Sequence, residues 1–107
     1  VTQREIKIVI ERIFEAYRSF SFLNRLNLPA VPKEAQICKT IDDVVEHLDP
    51  IERCIIHERY MKRTRVSDLE VYSQIINPPI SAVTFSDIRQ SAFEKLLMAF
   101  KQLGLIQ

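Results

Sequence analysis

Leu48-Asp49-Pro50-Ile51-Glu52-Arg53, followed by Ile80-Ser81-Ala82-Val83-Thr84-Phe85 and then Ile88-Arg89, Ala92-Phe93 and Lys95-Leu96, frames the reading of this chain. Asp49 is a helix cap, Pro50 suits the first helical position, and Glu52 stands where its carboxylate can reach back to the cap's backbone N–H. The helix predicted from there runs to about Met61 and buries Ile51, Cys54, Ile55 and Met61. Lys62-Arg63-Thr64-Arg65 is a basic connector. Ser67-Asp68-Leu69-Glu70 has the form of a second capping box, opening a helix with Leu69, Val71, Tyr72, Ile75 and Ile76 that Asn77-Pro78-Pro79 ends. Ser81 can cap the next helix, with Thr84-Phe85-Ser86-Asp87 as a competing start one turn later. Along it Phe85, Ile88, Ala92, Leu96, Ala99 and Leu103 fall within a narrow arc, flanked by Phe93 and Phe100, and Gly104 is the natural terminator.

Upstream, Ile6, Ile10, Ile13, Phe14, Tyr17 and Phe20 follow the three-and-four spacing of an amphipathic helix, and Ile8 and Val9 widen its apolar stripe. Residues 1–28 therefore read as an N-terminal amphipathic helix that packs on the domain behind it or pairs with a second copy. Pro29-Ala30-Val31-Pro32 interrupts the pattern, because proline lacks an N–H and restricts the residue before it. Residues 29–39 are expected to be a linker, and Thr40-Ile41-Asp42-Asp43 to cap a short helix through Val44, Val45 and Leu48. The main domain then spans 40–107. No strand-like alternation or internal repeat occurs, so the fold is expected to be all-α.

The 107 residues, 47% apolar, suit one domain with a modest core. No apolar run approaches the ~20 residues that cross a bilayer, and no secretory signal pattern is present, which points to a soluble, cytoplasmic protein. Gly104 is the single glycine, where average usage would give roughly seven. That excludes the glycine-rich loops that cradle nucleotide phosphates. Net charge is +1 but uneven: residues 1–40 carry +3, residues 41–61 carry −4, and residues 62–107 carry +2.

A short helix, a tight turn and a long capped helix make a helix-turn-helix, the arrangement that presents its second helix to the DNA major groove. Leu48, Pro50, Glu52 and Arg53, then Ile80, Ser81, Phe85, Ile88, Ala92, Phe93, Lys95 and Leu96, follow a pattern that resembles region four of bacterial sigma factors. Within that group the chain is similar to the ArpU-like family of phage transcriptional regulators, found in phages and prophages of Gram-positive bacteria. The resemblance covers roughly residues 40–100 and implies a sigma-like helix-turn-helix domain that acts on late-gene-type promoters. Carried over position by position, Ala82, Val83, Ser86, Asp87 and Gln90 would face bases. A helical wheel separately puts Val83, Asp87, Gln90 and Glu94 opposite Phe85, Ile88 and Leu96. Gln90 could bond adenine, Asp87 could accept from a cytosine amino group, and Val83 could meet a thymine methyl. Sigma factors usually place arginines on this surface, so weak or cooperative binding is expected. Phosphates would fall to Lys62, Arg63, Arg65, Ser81, Thr84, Arg89 and Lys95, with backbone amides at helix starts.

Cys38, His47, Cys54 and His57 are the only His and Cys residues, and without a Cys-x-x-Cys pair they read as reduced thiols and surface imidazoles rather than a zinc site. His57-Glu58 near Asp49 and Glu52 lacks a nucleophile or cleft, so no catalytic role, cofactor or small-molecule substrate is expected. The expected partners are double-stranded DNA, host RNA polymerase through the acidic 42–58 surface, and a second copy through the N-terminal helix. Asp87 and Glu94 motivate a rival reading, a sigma-like module that binds a host factor or another phage regulator instead of DNA.

Overall fold

The computed structural model describes residues 2–26 and 32–106, and among these the structure is helices joined by short turns, with no strand. Helix α1 spans Gln3–Arg25. Thr2 Oγ1 accepts from the Glu5 backbone N–H (3.2 Å) while Glu5 accepts from Thr2 N–H (3.4 Å), a reciprocal cap that satisfies two otherwise orphaned donors. Ile6, Ile10 and Phe14, each four residues on, are buried. They enter the main core with Tyr60, Phe93 and Phe100, and Phe14 is its aromatic hub, with centroids 6.0 Å from Tyr60 and 6.4 Å from Phe100. Helix α1 is thus an integral layer of the fold.

Helix α2 spans Pro32–Glu46 and corrects the expectation for this segment. Residues 29–31 lie outside the described residues, but Lys33 to Lys39, expected as linker, form the first half of a helix. Thr40 is no cap; its hydroxyl donates to the Gln36 carbonyl one turn back (2.9 Å). The helix persists because Cys38, Ile41 and Val45, at spacings of three and four, find a partner surface on α1. Tyr17 donates to Asp42 across that seam (2.6 Å). Tertiary packing decides here over local capping signals.

Helix α3, Pro50–Ile56, continues through a π-helical turn, His57–Met61. Glu52 accepts from Asp49 N–H at 3.0 Å, the reach-back that the spacing predicts. The buried face differs from expectation, however. Ile51 is 41% exposed and Cys54 half-buried, whereas Glu52 (3% exposed), Ile55, Ile56 and Tyr60 point inward. Glu52 tolerates burial because its oxygens also accept from Ser91 Oγ (3.0 Å) and Lys95 Nζ (2.8 Å) of the last helix.

Helix α4, Asp68–Glu70, passes into a second π-helical turn, Val71–Ile75. Ser67 Oγ accepts from Glu70 N–H (3.2 Å). Val71 and Ile76 are buried, but Leu69 and Ile75, expected inside, face outward. Helix α5, Ala82–Gln102, starts at Ser81, whose Oγ accepts from Thr84 N–H (3.1 Å), so the competing start at Thr84 is not used. It ends before Gly104, whose φ of +77° is the left-handed conformation that glycine adopts without strain.

Helix α5 serves two cores. Its first half sets Phe85 against Ile55, Val71 and Ile76, with Ile88 and Ile80 packed alongside. Its second half sets Ala92, Phe93, Leu96 and Phe100 against α1, α2 and the end of α3. Phe93 and Phe100, expected at the flanks, are therefore fully buried, while Leu103, expected in the arc, is exposed.

Phe14→Ala is expected to cost about 3–5 kcal/mol, the range for deleting a buried aromatic, whereas Leu69→Ala, on an exposed side chain, should stay within about 0.5 kcal/mol. Urea denaturation of both variants checks the pair. A small Phe14 effect would mean that α1 is not part of the cooperative core.

Candidate nucleic-acid interface

The surface of interest is built from the buried side of α5 outward. With Phe85 and Ile88 held against α3 and α4, the helical period turns Val83, Asp87, Gln90 and Glu94 to the opposite face. Ala82, Val83 (71% exposed), Ser86 and Asp87 are exposed, and Gln90 is half-buried, donating to Glu94 at 3.4 Å. All five residues expected to face bases thus lie together on the first turns of α5.

The cations divide differently. Arg63 and Arg65 are exposed on the α3–α4 connector, and Lys62 pairs with Glu58 (2.8 Å) on its outer side. Arg65 stands near Arg18 of α1; burial, then the like charge of Arg65, lowers the Arg18 pKa. Ser81 is occupied as the α5 cap, its hydroxyl donating to Thr84 Oγ1 (3.0 Å). Arg89 and Lys95, expected on phosphates, are engaged within the fold. Arg89, with its side chain 15% exposed, donates to Asp68 (3.0 Å) and lies over the Phe85 ring with 5.1 Å to the centroid. Lys95 donates to Glu52 (2.8 Å) and Asp49 (3.3 Å). Hydrogen bonding to Glu52 raises the Lys95 pKa above its ordinary value.

Asp68 was absent from the expected site, yet it positions it. Its carboxylate accepts from Arg89 of α5 and from Arg59 at the end of α3, and Arg59 also donates to the Val66 carbonyl (2.9 Å). One acid therefore joins the three helices of the unit. Burial disfavours the Asp68 carboxylate, but hydrogen bonds and charge from Arg89 and Arg59 outweigh it and hold the pKa below its ordinary value. The sequence signal was slight, since Arg59, Asp68 and Arg89 share no helical spacing.

A groove of about 440 Å³ runs beside the α5 strip, with Ser86, Asp87, Gln90 and Glu94 on one wall and Gln3, Arg4 and Lys7 of α1 on the other. Sequence reasoning missed this wall because Arg4 and Lys7 look like an ordinary solvated helix face. Among the described residues no three His, Cys, Asp or Glu side chains converge as a metal site. Burial raises the Cys38 and Cys54 thiol pKa values. Among the described residues no helix is long and apolar enough to cross a membrane.

Asp68→Asn should lower stability at neutral pH. A depressed pKa supplies stability above the unfolded carboxylate value of about 3.9 and loses it as pH falls through the folded value. The gap between wild type and variant should therefore close below about pH 4, as read from thermal melts across pH. A gap independent of pH would remove the charge of Asp68 as its source. No family model, curated protein or solved structure matches the chain.

Proposed function

We propose that this chain is a sequence-specific DNA-binding transcriptional regulator with a sigma region-four-like helix-turn-helix, encoded by a phage or prophage and acting at late-gene-type promoters. The observation that carries this is the strip on the first turns of α5 in which Ala82, Val83, Ser86 and Asp87 are exposed and Gln90 is half-buried beside them. A capped helix of 21 residues, braced by the short α4 through Asp68, has the form of a recognition helix. Gln90 can offer a bidentate hydrogen bond to adenine, Asp87 an acceptor for cytosine, and Val83 an apolar contact for thymine. Arg63 and Arg65 are the exposed connector cations that would meet phosphates, with Lys62 available by exchanging Glu58. Of the acidic 42–58 segment Glu52 is buried, and the exposed Asp42, Asp43, Glu46 and Asp49 are the acids that would meet host RNA polymerase.

Asp87 and Glu94, acids on the exposed strip, favour a second reading in which the same face binds a protein. Charge reversal at Asp87 separates the two: co-purification with a host protein that this variant abolishes, without any DNA binding, supports the protein module.

Gel shifts against promoter fragments test DNA reading directly. Salt-sensitive retention of some fragments over others is expected, and Gln90→Ala should cost about 1–3 kcal/mol of discrimination at one base position, as for a lost base contact. Absence of salt-sensitive binding to any fragment would end the DNA reading.

A further inference from the structure

We infer that the first turns of α1 form a second DNA-contacting element, with Arg4 and Lys7 holding the sugar-phosphate strand that borders the major groove read by α5. This rests on the DNA reading above and adds to it a site in a part of the chain outside the helix-turn-helix.

Three observations carry it. Gln3, Arg4 and Lys7 line the same groove as Ser86, Asp87 and Gln90, so α1 and the base-facing strip are opposite walls of one trough. The sense of the helices agrees: the start of α1 lies beside Ser86–Glu94, and further along Phe14 meets Phe100. Both helices therefore begin at the same end of the molecule, the end that carries the strip. The third observation is one of charge. Arg89 and Lys95, the cations on α5 nearest the strip, are held by Asp68, Glu52 and Asp49. Arg4 is exposed with no carboxylate within 4.0 Å among the described residues, and Lys7 keeps only a 3.8 Å contact with Glu11 at the exposed surface. Such a surface pair exchanges readily for a phosphate.

A duplex that seats its major groove on α5 carries a phosphate strand on each side of the helix. On the α1 side, Arg4 and Lys7 are the wall that strand meets, one helical turn apart, and Gln3 adds an amide donor. Asp87 and Glu94 on the other wall repel phosphates and bias the strand toward α1.

Fluorescence anisotropy with a short mixed-sequence duplex across a salt series tests this on the full chain. The double variant Arg4→Ala/Lys7→Ala is expected to bind about tenfold more weakly at moderate salt and to make the log K against log[salt] slope shallower by about two, one unit per phosphate lost. The control Arg12→Ala/Lys101→Ala removes the same charge from elsewhere and should leave the slope unchanged. Both pairs are exposed, and circular dichroism verifies that the helices remain. If wild type binds the duplex and the Arg4/Lys7 variant keeps its affinity and slope, this element is overturned while DNA reading stands. Equal losses in both variants would reduce the effect to net charge and overturn it too. Should wild type bind no duplex at all, both fall together.

Discussion

Everything in this fold follows from α5 having to satisfy two cores at once. Phe85 commits its first half to α3 and α4, and Phe93, Leu96 and Phe100 commit its second half to α1 and α2. Ala92, fully buried, lies where the contact changes sides, and a larger side chain there would push the helix off its neighbours. Because both halves are anchored, the rotation of α5 about its axis is fixed. With it are fixed the residues left facing solvent. The strip from Val83 to Glu94 is thus a by-product of packing as much as a surface in its own right.

Charge reinforces the same arrangement. Asp68 takes Arg59 and Arg89, and Glu52 takes Ser91 and Lys95, so two acids on α3 and α4 hold α5 near its middle. Buried or half-buried acids are tolerated only when such partners satisfy them. The cations so used are lost to an external anion. That divides the basic side chains into those that build the unit and those, such as Arg4, Arg63 and Arg65, that remain on the surface.

Capping chemistry was legible in the sequence because it is local: the Asp49–Glu52 reach-back, the Ser67 and Ser81 caps and the Gly104 stop depend on residues within one turn. The all-helical character and the outward placement of Val83, Asp87 and Gln90 followed from the period of the apolar residues. What failed depended on distant partners. Lys33 to Lys39 follow Pro32, open with charge and read as linker until α1 is present to cover Cys38 and Ile41. Ile51 and Glu52 exchange expected places because Ser91 and Lys95, some forty residues on, make burial of the carboxylate favourable. Arg89 reads as a phosphate ligand unless Asp68 is known to stand beside it.

A recognition face with few free cations has a consequence for selectivity on the DNA reading. Non-specific binding comes almost wholly from phosphate neutralisation, so a reader with few spare arginines has a small non-specific term. What counts in a cell is the ratio of specific to non-specific binding weighted by the number of competing sites. On that reading Gln90, Asp87 and Val83 would add to the first without adding to the second, since amide, carboxylate and methyl contacts require the right base edge. Low affinity at a single site and high discrimination between sites are therefore compatible on this surface. On the same reading an acid at position 87 would be tolerated on the helix because its repulsion of nearby phosphates weakens binding to any sequence, whereas a cytosine amino group offsets that loss only where the right base stands.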